Sequence, residues 1–178
     1  IVHLHSQSEG ELAGSARIDS TFIRMNCYTC HERNKKGGVP EQRQAFFLTD
    51  QKEMGDEARI PPPLSDTGTK LQPSWLKDLL ANGTKVRPYM FTRMPRFGEA
   101  NVAHLVAEFA KADEAEPVNH QTDAFSDKML KLTGRRLVGS KGFSCIKCHT
   151  FGNQKATGVQ SLDMTQMTQR LQYDWFHK

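Results

Sequence analysis

The sequence predicts an all-α chain made of two tandem copies of one helical module, the second copy cut short at its C-terminal end. Three observations predict it. All four cysteines fall in two copies of one motif, Cys27-Tyr28-Thr29-Cys30-His31 and Cys145-Ile146-Lys147-Cys148-His149. Each motif follows a stretch with apolar residues at helical spacing. The segments after the first motif recur in the same order after the second, and the recurrence breaks off at Lys178.

Residues 1–14 read as an N-terminal tail and residues 15–113 as the first module. Its first helix is expected over 16–26, with Ile18, Phe22 and Met25 on one face. A polar loop follows the motif over 32–56, with a short strand or turn at Ala45-Phe46-Phe47-Leu48. Ile60-Pro61-Pro62-Pro63-Leu64 is held extended by its prolines. A helix is expected over 72–80, with Pro73 in its first turn and Gly83 at its end. Residues 87–97 form a proline-punctuated loop that carries Met90 and Met94. A closing helix over 99–111 buries Val102, Leu105, Val106 and Phe109, spaced i, i+3, i+4, i+7.

Residues 114–124 form a polar linker containing Pro117, and residues 125–178 the incomplete second module. Its entry helix is expected over 126–140, with Phe125, Met129 and Leu132 on one face. Leu162 matches Leu64, and residues 169–176 match residues 70–76, which contain Trp75. Met94 lies 19 positions beyond Trp75, and the same step from Trp175 passes the end of the chain. The methionine loop and the closing helix of the second copy are therefore missing.

C-x-x-C-H is the covalent attachment site of haem c. Two thiols three positions apart reach the two vinyl groups on one edge of a porphyrin, and the next residue offers an imidazole to the iron. With 7 histidines among 178 residues, two such matches arise by chance only roughly 0.2% of the time. A zinc ribbon wants its cysteine pairs about 15–20 residues apart, far closer than Cys30 and Cys145. A thioredoxin-like redox pair needs a βαβ setting, and no such alternation appears. The expected cofactors are two haem c groups with their iron.

Bulk composition agrees. A hydrophobic content of 37% with 8% aromatics makes a thin core for 178 residues, and two macrocycles would supply apolar bulk. The formal charge of +4, from 24 basic and 20 acidic residues, falls towards neutral once four propionates are added. The basic residues are scattered, with no basic stripe interleaved with aromatics, so nucleic acid is not an expected partner. No run of about 18 apolar residues is present, so no transmembrane segment is expected. The opening Ile1-Val2-His3-Leu4-His5 is neither a start methionine nor a signal peptide, and reads as a mature product or an excised piece. Covalent haem attachment implies a periplasmic or otherwise exported location, with thioethers in place of disulfides.

The chain resembles the class I c-type cytochromes, and more closely the planctomycete-type cytochrome c modules of large exported bacterial proteins. The markers run in order: C-x-x-C-H, P-P-x-L, L-x-x-x-W-L, R-P-x-M-x-x-R-M-P-x-F, then a helix. The resemblance implies Cys27 and Cys30 as the thioether anchors of haem one, His31 as its proximal ligand and Met94 as its distal ligand. It implies that the Pro62 carbonyl accepts the Nδ1–H of His31 and that Trp75 sits near a propionate. In copy two, Cys145, Cys148 and His149 carry over. Gln160 occupies the position of Pro62, and no methionine carries over as distal ligand.

Other residues are weighed against these. Met90 is the local competitor of Met94, while Met54 decorates the long loop. Met164 and Met167 read as packing residues, and His177, His3 and His5 as surface or tail residues. His104 falls opposite the apolar face of its helix, and His120 lies in the linker. Arg87, Arg93 and Arg96 are largely solvated, with one free to pair with a propionate.

The expected function is electron transfer through two haems, as a relay module serving a redox partner protein or an adjacent catalytic domain. A six-coordinate His/Met iron has no open site and exchanges one electron. The alternative is a di-haem peroxidase-like enzyme with haem two open for peroxide, favoured by the missing distal ligand. A third reading, a small two-domain cytochrome c, has the right size but calls for a methionine in each half.

Overall fold

A computed structural model describes residues 12–83, 86–119 and 125–178. His3, His5 and His120 lie outside the described residues, as do most of the tail and half of the linker.

The chain is mostly helical. Helix α1 (Ser15–Arg24) buries Ile18, Thr21 and Phe22. It leads into a 3₁₀ turn, Cys27–Thr29. The polar loop beyond contains a two-residue hairpin, β1 (Glu32–Arg33) with β2 (Lys36–Gly37), where the sequence suggested only irregular chain. The stretch Ala45–Leu48 is not a strand: a 3₁₀ segment spans Glu41–Phe46. A short helix, α2 (Thr67–Lys70), precedes α3 (Pro73–Asn82). Pro73 occupies the first turn of α3, where its missing N–H costs nothing, and Gly83 ends it at φ 72°. The closing helix is split by hydrogen-bond pattern into α4 (Glu99–Val102) and α5 (His104–Ala112), although Ala103 between them keeps helical angles. In the second half, α6 (Asp127–Val138) is capped by the Ser126 hydroxyl, which accepts from the Met129 N–H. Two short helices, α7 (Met167–Arg170) and α8 (Tyr173–Phe176), end the chain.

One core dominates. Ile18 and Phe22 of α1, Leu76 and Leu80 of α3, Val102, Leu105 and Phe109 of the closing helix form a single buried cluster. Each such side chain contributes about 1.5–3 kcal/mol on burial. Phe22 stands edge-on to Phe109 and to Tyr28, with ring centroids 5.9 and 5.1 Å apart. Helices α2 and α5 cross at Gly68, where a Cβ would lie 2.0 Å from the Phe109 carbonyl oxygen. Only a residue without a side chain permits that approach.

Residues 125–178 have no comparable core of their own. Helix α6 buries nothing, and Phe125, Met129 and Leu132 of its expected inward face are 65%, 51% and 54% exposed. Its last segment instead joins the first half along a seam. Leu71 and Leu171 form an antiparallel bridge. The N–H of Gln72 donates to the Arg170 carbonyl and that of Gln172 to the Lys70 carbonyl, both at 2.9 Å. The Gln172 side-chain amide also donates to the carbonyls of Gly68 and Leu71, at 2.6 and 2.7 Å. Leu171 is 6% exposed there.

Candidate functional site

The two C-x-x-C-H segments fold into one shape. Each is entered through a left-handed residue, Asn26 (φ 56°, ψ 29°) or Ser144 (φ 59°, ψ 28°). A side chain is disfavoured there, most weakly for Asn. A single 3₁₀ turn follows, and in both loops the histidine N–H donates to the carbonyl of the first cysteine at 2.9 Å. The cysteines and the imidazole of each loop are thereby presented from one rigid turn.

The histidines are oriented alike. Nδ1 of His31 lies 2.7 Å from the Pro62 carbonyl oxygen, and Nδ1 of His149 lies 3.1 Å from the Leu162 carbonyl oxygen. A backbone carbonyl only accepts, so Nδ1 carries the proton and Nε2 keeps its lone pair for a metal. Burial, with the nearby charge of Arg87, lowers the His31 pKa against the opposing pull of the Pro62 bond. The ring is held neutral, the form that ligates.

The second contact corrects the sequence correspondence. Gln160 does not stand where Pro62 does. Its side-chain amide turns back on its own loop, to the carbonyls of Ala156 and Gly158 at 2.9 and 3.0 Å. Leu162, two residues on, supplies the carbonyl instead. A carboxylate fixes this register: Asp163 accepts from the N–H groups of Gly152 and Thr165 and from the Thr165 hydroxyl, at 3.1, 2.9 and 2.7 Å.

Around loop one the other sequence-selected residues take distinct places. Met94 is half-buried against the main core, as are Cys27, Tyr28 and Leu64. Met90, its competitor, is 7% exposed within a separate cluster with Ala58 and Tyr89. Met54 packs against that second cluster instead of decorating the loop. Trp75 is half-buried, and its indole Nε1 is fully buried with no hydrogen-bond partner. Such an orphan donor costs about 1–3 kcal/mol. In copy two, Met164 and Met167 sit half-buried in the turns leading to the seam, and His177 is exposed beside Tyr173.

Three features were not read from the sequence. Arg33, two residues after His31, is buried in a two-bond ion pair with Asp113, Nη2 to Oδ1 at 2.5 Å and Nη1 to Oδ2 at 3.1 Å. Its Nη1 also donates to the Leu64 carbonyl at 2.7 Å, and its guanidinium lies 4.9 Å from the Phe109 ring centroid. Loop one, the Pro62 segment and α5 are thus tied at one point. Within the loop, the Tyr28 hydroxyl donates to Asp19, whose other oxygen meets Lys36 Nζ at 2.5 Å. Burial, and then Asp19, pushes the Tyr28 phenol up to about 12. His104 is not a solvated surface residue: half-buried, its Nε2 is 2.8 Å from the Thr21 hydroxyl.

The donor set selects the kind of group it fits. All four cysteines are free thiols. Burial pushes the Cys27 thiol up to about 11, against the pull of a backbone hydrogen bond, so the free thiol is protonated at neutral pH. Among the described residues, no group of three or more His, Cys, Asp or Glu is arranged to hold a metal ion. Each loop offers one imidazole and two thiols, which fits a metal that brings its own equatorial donors. A buried indole N–H that lacks an acceptor fits a group that also carries carboxylates. A groove beside loop one, about 640 Å³, is lined by Phe22, Tyr28, Pro40 and neighbours, and neither Cys27, Cys30 nor His31 lines it. No protein-family model, curated protein or solved structure matches this chain.

Proposed function

We propose that this chain transfers electrons through two covalently attached c-type haems. Cys27 and Cys30 would anchor the first, and His31 and Met94 would ligate its iron. Cys145, Cys148 and His149 hold the second. The observation that carries this reading is the shared geometry of the two loops: one turn, two thiols, and an imidazole whose Nδ1 is committed to a backbone carbonyl so that Nε2 is free.

Bound haem supplies a one-electron iron couple. The chain's own residues do the rest. The Pro62 carbonyl fixes the His31 tautomer and ring angle, and strengthens the imidazole as a donor. The core around Phe22, Leu105 and Phe109 excludes water behind loop one. Met94, a soft thioether, favours the ferrous state and raises the potential. In this reading the two halves are class I cytochrome c modules of an exported protein, passing electrons to a redox partner or an adjacent catalytic domain. Among the described residues no helix is long and apolar enough to cross a membrane.

Mass spectrometry of protein from a maturation-competent host tests the attachment: the polypeptide must be heavier by two haems. Carbon monoxide titration of the reduced protein tests the ligands, because haem one, closed by Met94, must resist it. A colourless chain, or a first haem that takes up carbon monoxide in the folded protein, overturns the proposal.

A second reading, a di-haem peroxidase-like enzyme, is favoured by one observation. Copy two pairs its histidine with a carbonyl as copy one does, and no methionine within residues 125–178 aligns with Met94. Peroxide reduction that requires His149 and survives loss of Met94 would select it.

A further inference from the structure

A polar crevice of about 300 Å³ lies between α1 and the closing helices α4 and α5. Arg17, Ser20, Thr21 and Arg24 line it from α1, and Asn101 and His104 line it from the other side. No carboxylate is among the described residues that line it, and neither are Cys27, Cys30, His31 and Met94. The three helices carry three acids, Asp19, Glu99 and Glu108, and each has its own partner. Asp19 meets Lys36 Nζ at 2.5 Å and Glu99 meets Lys77 Nζ at 3.2 Å. Glu108 accepts from the Gly14 N–H and from Arg17 Nη1, the latter at 3.1 Å.

The fold holds the donors of this crevice in place. Glu108 fixes Arg17 through one nitrogen, and a guanidinium has five N–H donors, so a partner elsewhere leaves others for the crevice. The Thr21 hydroxyl gives its one hydrogen to the Arg17 carbonyl at 3.0 Å. Its oxygen therefore accepts from His104, whose Nε2 lies 2.8 Å away. Nε2 carries the proton and Nδ1 keeps the lone pair, the reverse of His31 and His149. Nδ1 takes a second proton without breaking the Thr21 bond, so an anion in the crevice can be met by an imidazolium. Asn101 gives one amide hydrogen to the Phe97 carbonyl at 2.8 Å and keeps a second.

We infer that this crevice binds a small inorganic dianion of the phosphate type, held by Arg17 and Arg24 on one wall and by His104 and Asn101 on the other. Two guanidiniums and an imidazole call for more than one negative charge, and arginine is the side chain best matched to phosphate oxygens. Donors on two facing walls call for oxygens that point in several directions, which a flat carboxylate lacks. A bound dianion ties α1 to the closing helices, whose Leu105 and Phe109 cover Ile18 and Phe22. It therefore stabilises the core of the first half by mass action. The site stands apart from the haem reading, since none of the proposed haem-binding residues lines it.

Isothermal titration calorimetry of the full chain with inorganic phosphate tests this, with chloride holding the ionic strength constant. Binding must saturate at one site. Arg24 is exposed and outside the core, so Arg24→Gln leaves the fold in place. Loss of a charged donor should weaken phosphate binding by about ten-fold or more. Lys128→Gln, which removes an exposed cation on α6, must leave the binding unmoved. Acetate, a flat monoanion, must bind at least about ten-fold more weakly than phosphate. A second readout is the His104 ring in NMR. Burial, then Arg17 and Arg24, lowers its pKa against the pull of Glu108. Sulfate, whose charge stays fixed across the titration, must raise it in the parent and move it less in Arg24→Gln. An absence of saturable heat overturns the site, as does binding that ignores Arg24→Gln or a His104 titration that ignores sulfate. Acetate binding as tight as phosphate overturns the choice of a dianion.

Discussion

Replacing Asp113 by leucine tests how the first loop is held. Asp113 is 5% exposed at its side chain and Arg33 3%. Removing the carboxylate leaves the guanidinium buried with only the Leu64 carbonyl at 2.7 Å, and frees the Gly68 N–H that Asp113 accepts at 2.8 Å. Breaking a buried ion pair on one side costs about 3–5 kcal/mol. With a urea m-value of about 2 kcal/mol/M, the unfolding midpoint of the matured protein should drop by about 2 M. The double variant Arg33→Leu/Asp113→Leu leaves no orphan charge and should recover most of the loss. Because Arg33 brackets Pro62 through Leu64, on the proposed haem reading the single variant should also let carbon monoxide reach the group at loop one. A single variant that unfolds within about 0.5 M of the parent would refute the view that this pair clamps loop, proline segment and closing helix together.

Trp75→Phe keeps the ring and deletes the orphan N–H. It should stabilise haem-free chain by about 1 kcal/mol and weaken the haem-loaded form, measured as opposite shifts in Tm. A thiol pushed up to about 11 holds about 100-fold less thiolate at pH 8 than an ordinary cysteine, and greater nucleophilicity returns only about ten-fold. Cys27 of haem-free protein should therefore alkylate at least about ten-fold more slowly than a free thiol, read by peptide mass spectrometry. The Gly152 N–H, followed by the Thr165 hydroxyl and N–H, lowers the Asp163 pKa. Its stabilisation is therefore complete above the unfolded value of about 3.9 and lost as pH falls through the lower folded value. Asp163→Ala should erase that acid-limb contribution, read as a flatter dependence of stability on pH below about 4.

Local signals carried the parts of the fold that lie within one turn or one element. The motif spacing located both loops, the apolar stripe of α1 placed Ile18 and Phe22, and Pro73 with Gly83 bracketed α3. What failed to show was long-range or depended on register. Arg33 and Asp113 are 80 positions apart, and each alone resembles an ordinary surface charge. Gly68 gives no sign in sequence that α5 crosses over it. Gln160 and Leu162 differ by two residues in a loop with no periodicity to fix its register. The choice between them is made by Asp163, whose three hydrogen bonds set the turn.

The entry helices show why an equal pattern does not give equal burial. Helices α1 and α6 each carry an apolar stripe and lead into the same turn, yet Phe22 is 1% exposed and Leu132 54%. Amphipathicity states which face a helix offers; the partner decides whether that face leaves water. In the first half the partner is α5, whose Leu105 and Phe109 close over Ile18 and Phe22. In the second, no described element takes that place, and order is drawn from the seam instead, through Leu171 and the backbone bonds of Gln72 and Gln172. The first loop is therefore supported by its own core, whereas the turns that follow the second are supported by the first half. A perturbation of α2 at the seam should therefore disturb residues 170–172 as well as the first half, read by hydrogen exchange at Gln72 and Gln172.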